Sequence, residues 1–82
     1  MHIVIANLPP EITAEGIQAR MRALGTNAQI TLNHEGDPSK VTAIIDSAGL
    51  ERTAADQIAW RINGAIYQGR RLHAYVPLFM QG

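Results

Sequence analysis

Three histidines (His2, His34 and His73) and seven carboxylates carry most of the acid–base and metal-binding capacity of this 82-residue chain, because cysteine is absent. No two histidines are spaced to share a helix face as a metal pair. Glu35, Asp37 and Asp46 form no dyad that spacing identifies, and no serine stands in a nucleophile-elbow context. The missing cysteines remove thiolate zinc sites, redox motifs, disulfide scaffolds and thiol nucleophiles in one step. The expectation is a protein that is not an enzyme and needs no metal or cofactor. Binding chemistry remains: Trp60 and Tyr75 offer flat apolar rings, and Lys40, Arg70 and Arg71 offer cationic donors to an anion.

Seven basic residues balance seven acidic ones, so the net charge is zero and a strongly cationic nucleic-acid glue is excluded. Charged residues are 17% and hydrophobic ones 46%, a globular composition and not a disordered one. A chain this short buries only about 60% of its unfolded surface, so one marginally stable domain is expected over residues 1–82, with its core in 2–76 and an apolar tail in 77–82. No apolar run approaches the roughly 20 residues of a membrane span, nor the core of a signal peptide. These features lead to the expectation of a soluble protein of a reducing, cytoplasmic compartment.

The elements that must position the binding side chains follow from periodicity. Residues 2–6 are apolar and β-branched and run into Pro9-Pro10, which predicts a strand. Thr13 is placed as a helix N-cap, with Ile12 and Ile17 as a hydrophobic staple; Ile17, Met21 and Leu24 continue the stripe, and Gly25 suits the C-terminal end, predicting a helix over 14–24. Alternation predicts strands at 28–33 and 41–46 around the turn residues Glu35-Gly36-Asp37-Pro38-Ser39. Thr53-Ala54-Ala55-Asp56 has capping-box spacing, and Ala55, Ile58, Ala59 and Ile62 trace an apolar face, predicting a helix over 54–63. After a short link containing Gln68-Gly69, a last strand over 72–76 stops at Pro77. The order β-α-β-β-α-β predicts an α+β, ferredoxin-like sandwich: a four-stranded antiparallel sheet with both helices on one face. Acylphosphatase-like and heavy-metal-transport domains share that architecture, but the catalytic glycine-rich loop of the one and the paired cysteines of the other are absent.

Asn7-Leu8-Pro9-Pro10-Glu11-Ile12-Thr13, with Ile17, Met21, Leu24 and Gly25 after it, resembles the opening of an RNA recognition motif (RRM). Ala55, Ile58-Ala59, Ile62-Asn63-Gly64 and Gly69-Arg70-Arg71-Leu72 resemble that family's second helix and the segment behind it. The resemblance covers nearly the whole chain, which is similar to small stand-alone bacterial RRM proteins. It implies single-stranded RNA bound on the open sheet face, where aromatic rings of two RNP motifs stack on bases. The RNP hexamer corresponds to Ile3-Val4-Ile5-Ala6-Asn7-Leu8, with Val4 at the stacking position. The octamer corresponds to residues 40–47, with Thr42 and Ile44 at its stacking positions. All three usual aromatics are missing. Base–aromatic stacking is worth about 1–3 kcal/mol per base, so RNA binding is expected to be weak or selective.

Strand alternation sends Ile3, Ile5, Val41, Ala43 and Ile45 inward and His2, Val4, Thr42, Ile44, His73 and Tyr75 outward. The expected RNA site is that outward set together with Lys40, which keeps the octamer's leading basic residue. Tyr75, His2 and His73 would supply stacking surfaces, and Lys40, with Arg70 and Arg71 nearby, contacts to phosphate. The alternative expectation is a protein partner or weak homodimer, bound through an apolar patch of exposed Val4 and Ile44 with Phe79 of the tail, or through Trp60. Trp60 falls about 150° from the centre of its helix's apolar stripe and should be at least partly exposed. Arg70-Arg71-Leu72 also resembles, with Leu72 in place of Phe, the branch of the family that binds tryptophan-containing peptides.

Overall fold

In the computed structural model, which describes residues 1–47 and 49–78, the elements run in the order β1 (His2–Leu8), α1 (Ala14–Ala23), β2 (Gln29–Asn33), β3 (Val41–Asp46), α2 (Arg52–Ile62), β4 (Ile66–Tyr67), β5 (Arg70–Arg71) and β6 (His73–Tyr75). Four strands form one antiparallel sheet in the order β2-β3-β1-β6, and β4 and β5 form a separate two-stranded ladder. Alternation explains which face is dry. Ile3 pairs with Ile45 and Ile5 with Ala43, so the inward residues of the central strands stack in register. Ile17 and Met21 of α1 and Ala55 and Ala59 of α2 close over them in one core cluster, with Ile30 and Leu32 packed at the β2 edge. Both helices therefore cover one face of the sheet and leave the other open. The small Ala55 and Ala59 let α2 lie close to the strands, where fully burying each larger aliphatic contributes about 1.5–3 kcal/mol.

α1 has the ends that its sequence dictates. The Gly16 N–H donates to Thr13 Oγ1 at 3.1 Å, and Ile12 and Ile17 both pack on the core. At the other end Gly25 takes φ 82°, while the Thr26 N–H donates to the Met21 carbonyl and the Gly25 N–H to the Arg22 carbonyl, the pair of bonds that closes a helix at a left-handed glycine.

α2 departs from expectation. Its N-cap is Glu51, with extended backbone and no side-chain capping bond, and the Ala55 N–H already donates to the Glu51 carbonyl at 2.9 Å. Thr53 therefore lies inside the first turn and is not the cap. β1 is also longer than the run of β-branched residues. Its register with β3 shifts between Ile5 and Leu8, and Asn7 adopts φ 70°, which asparagine tolerates better than most residues. This extra residue turns Leu8, in place of Asn7, into the core. The link around Gln68-Gly69 is a true hairpin, both residues having positive φ as a tight two-residue turn requires.

Candidate nucleic-acid interface

Cross-strand pairing arranges the open face in rows. Thr31 of β2 stands opposite Ile44 of β3, Ile44 opposite Val4 of β1, and Val4 opposite Tyr75 of β6, so one row crosses the whole sheet. A second row carries Asn33 and Thr42 on one side of the β1 bulge and Ala6 and His73 on the other. The third brings Gln29, Asp46 and His2 together. The outward set read from alternation is thus assembled on one surface. Tyr75 is 54% exposed, and His73 is exposed beside it.

The apolar patch expected here is smaller than its residue types suggest. Val4 is only 7% exposed and Ile44 is half-buried, so the two are not a pair of exposed aliphatics. The reason is position: β1 is flanked on both sides, and Ile44 and Tyr75 stand to either side of Val4 in its own row. His2 is half-buried as well, with Nε2 at 3.8 Å from Asp46 Oδ2. That carboxylate makes the His2 end of the face unfavourable to phosphate.

The opposite end carries bases, Lys40, Arg70 and Arg71, together with the carboxylate of Asp37. Lys40 is exposed and directly precedes β3. Its loop is tightly ordered: Asp37 Oδ1 accepts from the Ser39 N–H at 2.9 Å and from Ser39 Oγ at 2.7 Å, and the Lys40 N–H donates to the Asp37 carbonyl. These hydrogen bonds from Ser39, more than the nearby charges of Lys40 and Arg70, hold the Asp37 carboxyl below its ordinary pKa. Arg70 reaches across to this loop. Its Nη1 donates to the Ser39 carbonyl at 2.5 Å and to the Leu8 carbonyl at 3.4 Å, clasping the β2–β3 loop to the end of β1. Beside it Asn7 Nδ2 donates to the Arg71 carbonyl at 2.9 Å.

Arg70 is therefore engaged with carbonyls, whereas Arg71 is exposed and open to an anion. Leu72 is buried in the core, so the segment that resembles the tryptophan-peptide binders offers neither a free leading arginine nor an exposed apolar residue. The clasp by Arg70 and the bulge at Asn7 escaped the reading of the sequence. A lone asparagine just before Pro9-Pro10 was the available signal for the bulge, and nothing local marks the clasp.

Trp60 is 81% exposed and belongs to the outer side of α2, away from the sheet-face residues. Phe79 lies outside the described residues. On the helical side an apolar cleft of about 450 Å³ opens between α1 and the β4–β5 hairpin, lined by Ile12, Ile17, Leu24, Ile62 and Ile66, with the Arg20 guanidinium 4.9 Å from the Tyr67 ring centre at its rim. Among the described residues no group of three or more metal-ligating side chains comes together, and no helix is long and apolar enough to cross a membrane.

No protein-family model matches the chain, and no curated protein matches it.

Proposed function

We propose that this protein is a non-enzymatic RRM-type module, with the ferredoxin-like β-α-β-β-α-β arrangement, that binds single-stranded RNA weakly on its open sheet face. The observation that carries the reading is the exposed Tyr75 ring at the end of the Thr31–Ile44–Val4–Tyr75 row, with His73 beside it in the next row. Support comes also from the pairing of the two RNP-like segments as β1 and β3 at the centre of the sheet, with the exposed Lys40 directly before β3. In this reading Tyr75 stacks on a base, His73 packs against its neighbour, and Lys40 and Arg71 take phosphates; Thr42 and Ile44 form the floor. The lack of cysteine fits a reducing, cytoplasmic setting.

Burial of Val4 argues against the apolar protein-docking alternative on this face, since little apolar area is left to remove from water. The test is NMR shift mapping with mixed short RNAs at low salt. Expected are shifts confined to His73, Tyr75, Lys40 and their row neighbours. With one or two phosphates contacted, log K should fall against log salt with a slope of about −0.7 to −1.4. Shifts confined to the helical side, or none at all, would overturn the reading.

A further inference from the structure

Among the described residues nothing covers the outer side of α2, where Thr53, Asp56, Gln57, Trp60 and Arg61 are all exposed. Thr53, Asp56, Gln57, Trp60 and Arg61 line a shallow hollow of about 520 Å³, and Trp60, the only tryptophan of the chain, stands 81% exposed within it. An indole left this open forgoes the burial that makes tryptophan the most effective interface anchor. The spacing around it is ordered. Thr53, Gln57 and Trp60 follow at intervals of four and three residues, which keeps them in one stripe along the helix and opposite Ala55 and Ala59, which are buried against the sheet.

Asp56 flanks this stripe on one side and Arg61, five residues later, on the other. When two such helices run parallel about a twofold axis, a residue on one flank faces the residue five positions on in the opposite flank of the partner. Asp56 then meets Arg61 of the second copy, and Arg61 meets Asp56 of the second copy, so one surface supplies both halves of two ion pairs. Arg52 Nε lies 3.7 Å from Asp56 Oδ2, and among the described residues no ion pair engages Arg61. The parallel register also sets the two Trp60 indoles level with each other across the axis.

We infer that α2 is a self-association surface whose occupant is a second copy of this chain, paired parallel through Trp60 with reciprocal Asp56–Arg61 ion pairs. The charge pattern selects a second copy over a nucleic acid, because among the residues lining the hollow one acid, Asp56, stands against one base, Arg61, and the two lie on opposite flanks of the stripe. A seam confined to the three turns of α2 is small beside a standard interface of roughly 1,200–2,000 Å², so the dimer is expected to be weak. It leaves both open sheet faces free and does not depend on the RNA reading.

Because Trp60 is the sole tryptophan, its emission reports the contact directly. Sedimentation and tryptophan fluorescence from micromolar to millimolar protein should show a monomer–dimer equilibrium with a matching blue shift. By sedimentation, Trp60→Ala should be monomeric throughout; the side chain is exposed, so its circular dichroism should match the parent. Asp56→Arg and Arg61→Asp should each weaken dimerisation about fivefold by opposing like charges, and the double variant should restore it. A strictly monomeric parent, a dimer indifferent to Trp60→Ala, or a double variant no better than the single ones would each overturn the proposal.

Discussion

The two faces of the sheet are built from the same strands and behave as different materials. Inward, Ile3, Val41, Ala43 and Ile45 are completely buried in a layer of aliphatic side chains. Outward, one residue along in each strand, stand Thr31, Thr42, Ile44, His2 and His73, polar or half-exposed around a single buried Val4. The burial that stabilises the fold is concentrated on the first face, and the side chains proposed to contact RNA stand on the second. Because their side chains share one backbone, two adjacent residues in β3, Ile44 and Ile45, should report almost independently on the two properties.

The sharpest way to break that contrast is to truncate each in turn. Ile45→Ala should cost about 2–5 kcal/mol in urea denaturation, since it leaves a cavity in a packed layer. Ile44→Ala should cost about 1 kcal/mol, the transfer term of a half-buried side chain with no cavity behind it. Equal losses would mean the open face is a second core. Next in size is Tyr75→Ala, expected to weaken binding of short single-stranded RNA by about 1–3 kcal/mol while moving stability by less than about 0.5 kcal/mol. A large stability loss with unchanged RNA affinity would assign the ring to the fold instead.

Arg70→Ala tests the rim where the faces meet. Losing two donations to carbonyls should lower stability by about 1 kcal/mol and speed amide exchange at Ser39 and Lys40; exchange unchanged there would show that the loop orders itself. The smallest effect belongs to Asp37. Its folded pKa is depressed, so its contribution is present above the unfolded pKa and is lost as pH falls through the folded one. The chemical shift of the Ser39 amide should follow the Asp37 titration with a midpoint below that of an ordinary aspartate; an ordinary midpoint would mean that the Ser39 hydrogen bonds do not hold in solution.

The dry face was readable because each inward residue obeys a period of two in a strand or 3.6 in a helix, and Ile17, Met21 and Ile45 could be assigned without knowing their neighbours. Thr13 and Gly25 were readable for a similar reason, since a cap acts within one turn. The failures needed information from elsewhere in the chain. Thr53 has the local chemistry of a cap, yet α2 begins before it. Gln68 is not a typical residue for positive φ, so the β4–β5 hairpin passed for a link. Val4 belongs to the outward set by alternation, but its burial depends on the side chains of β3 and β6. The clasp from Arg70 spans 31 residues to Ser39 and 62 to Leu8, beyond any local pattern.

The pairing of β1 with β6 has a mechanical side. Val4 pairs with Tyr75, Ile5 with Ala74 and Ala6 with His73, so the outer ends of these neighbouring antiparallel strands, near residues 2 and 76, lie at the same end of the sheet's strands. Ladder hydrogen bonds run across the strands. A pull applied at those two points therefore loads the bonds one after another, as in opening a zipper, and not all together in shear. Under tension the domain should yield first by shedding β6, with β2, β3 and β1 still joined, and at lower force than a sheet loaded at opposite ends of its strands.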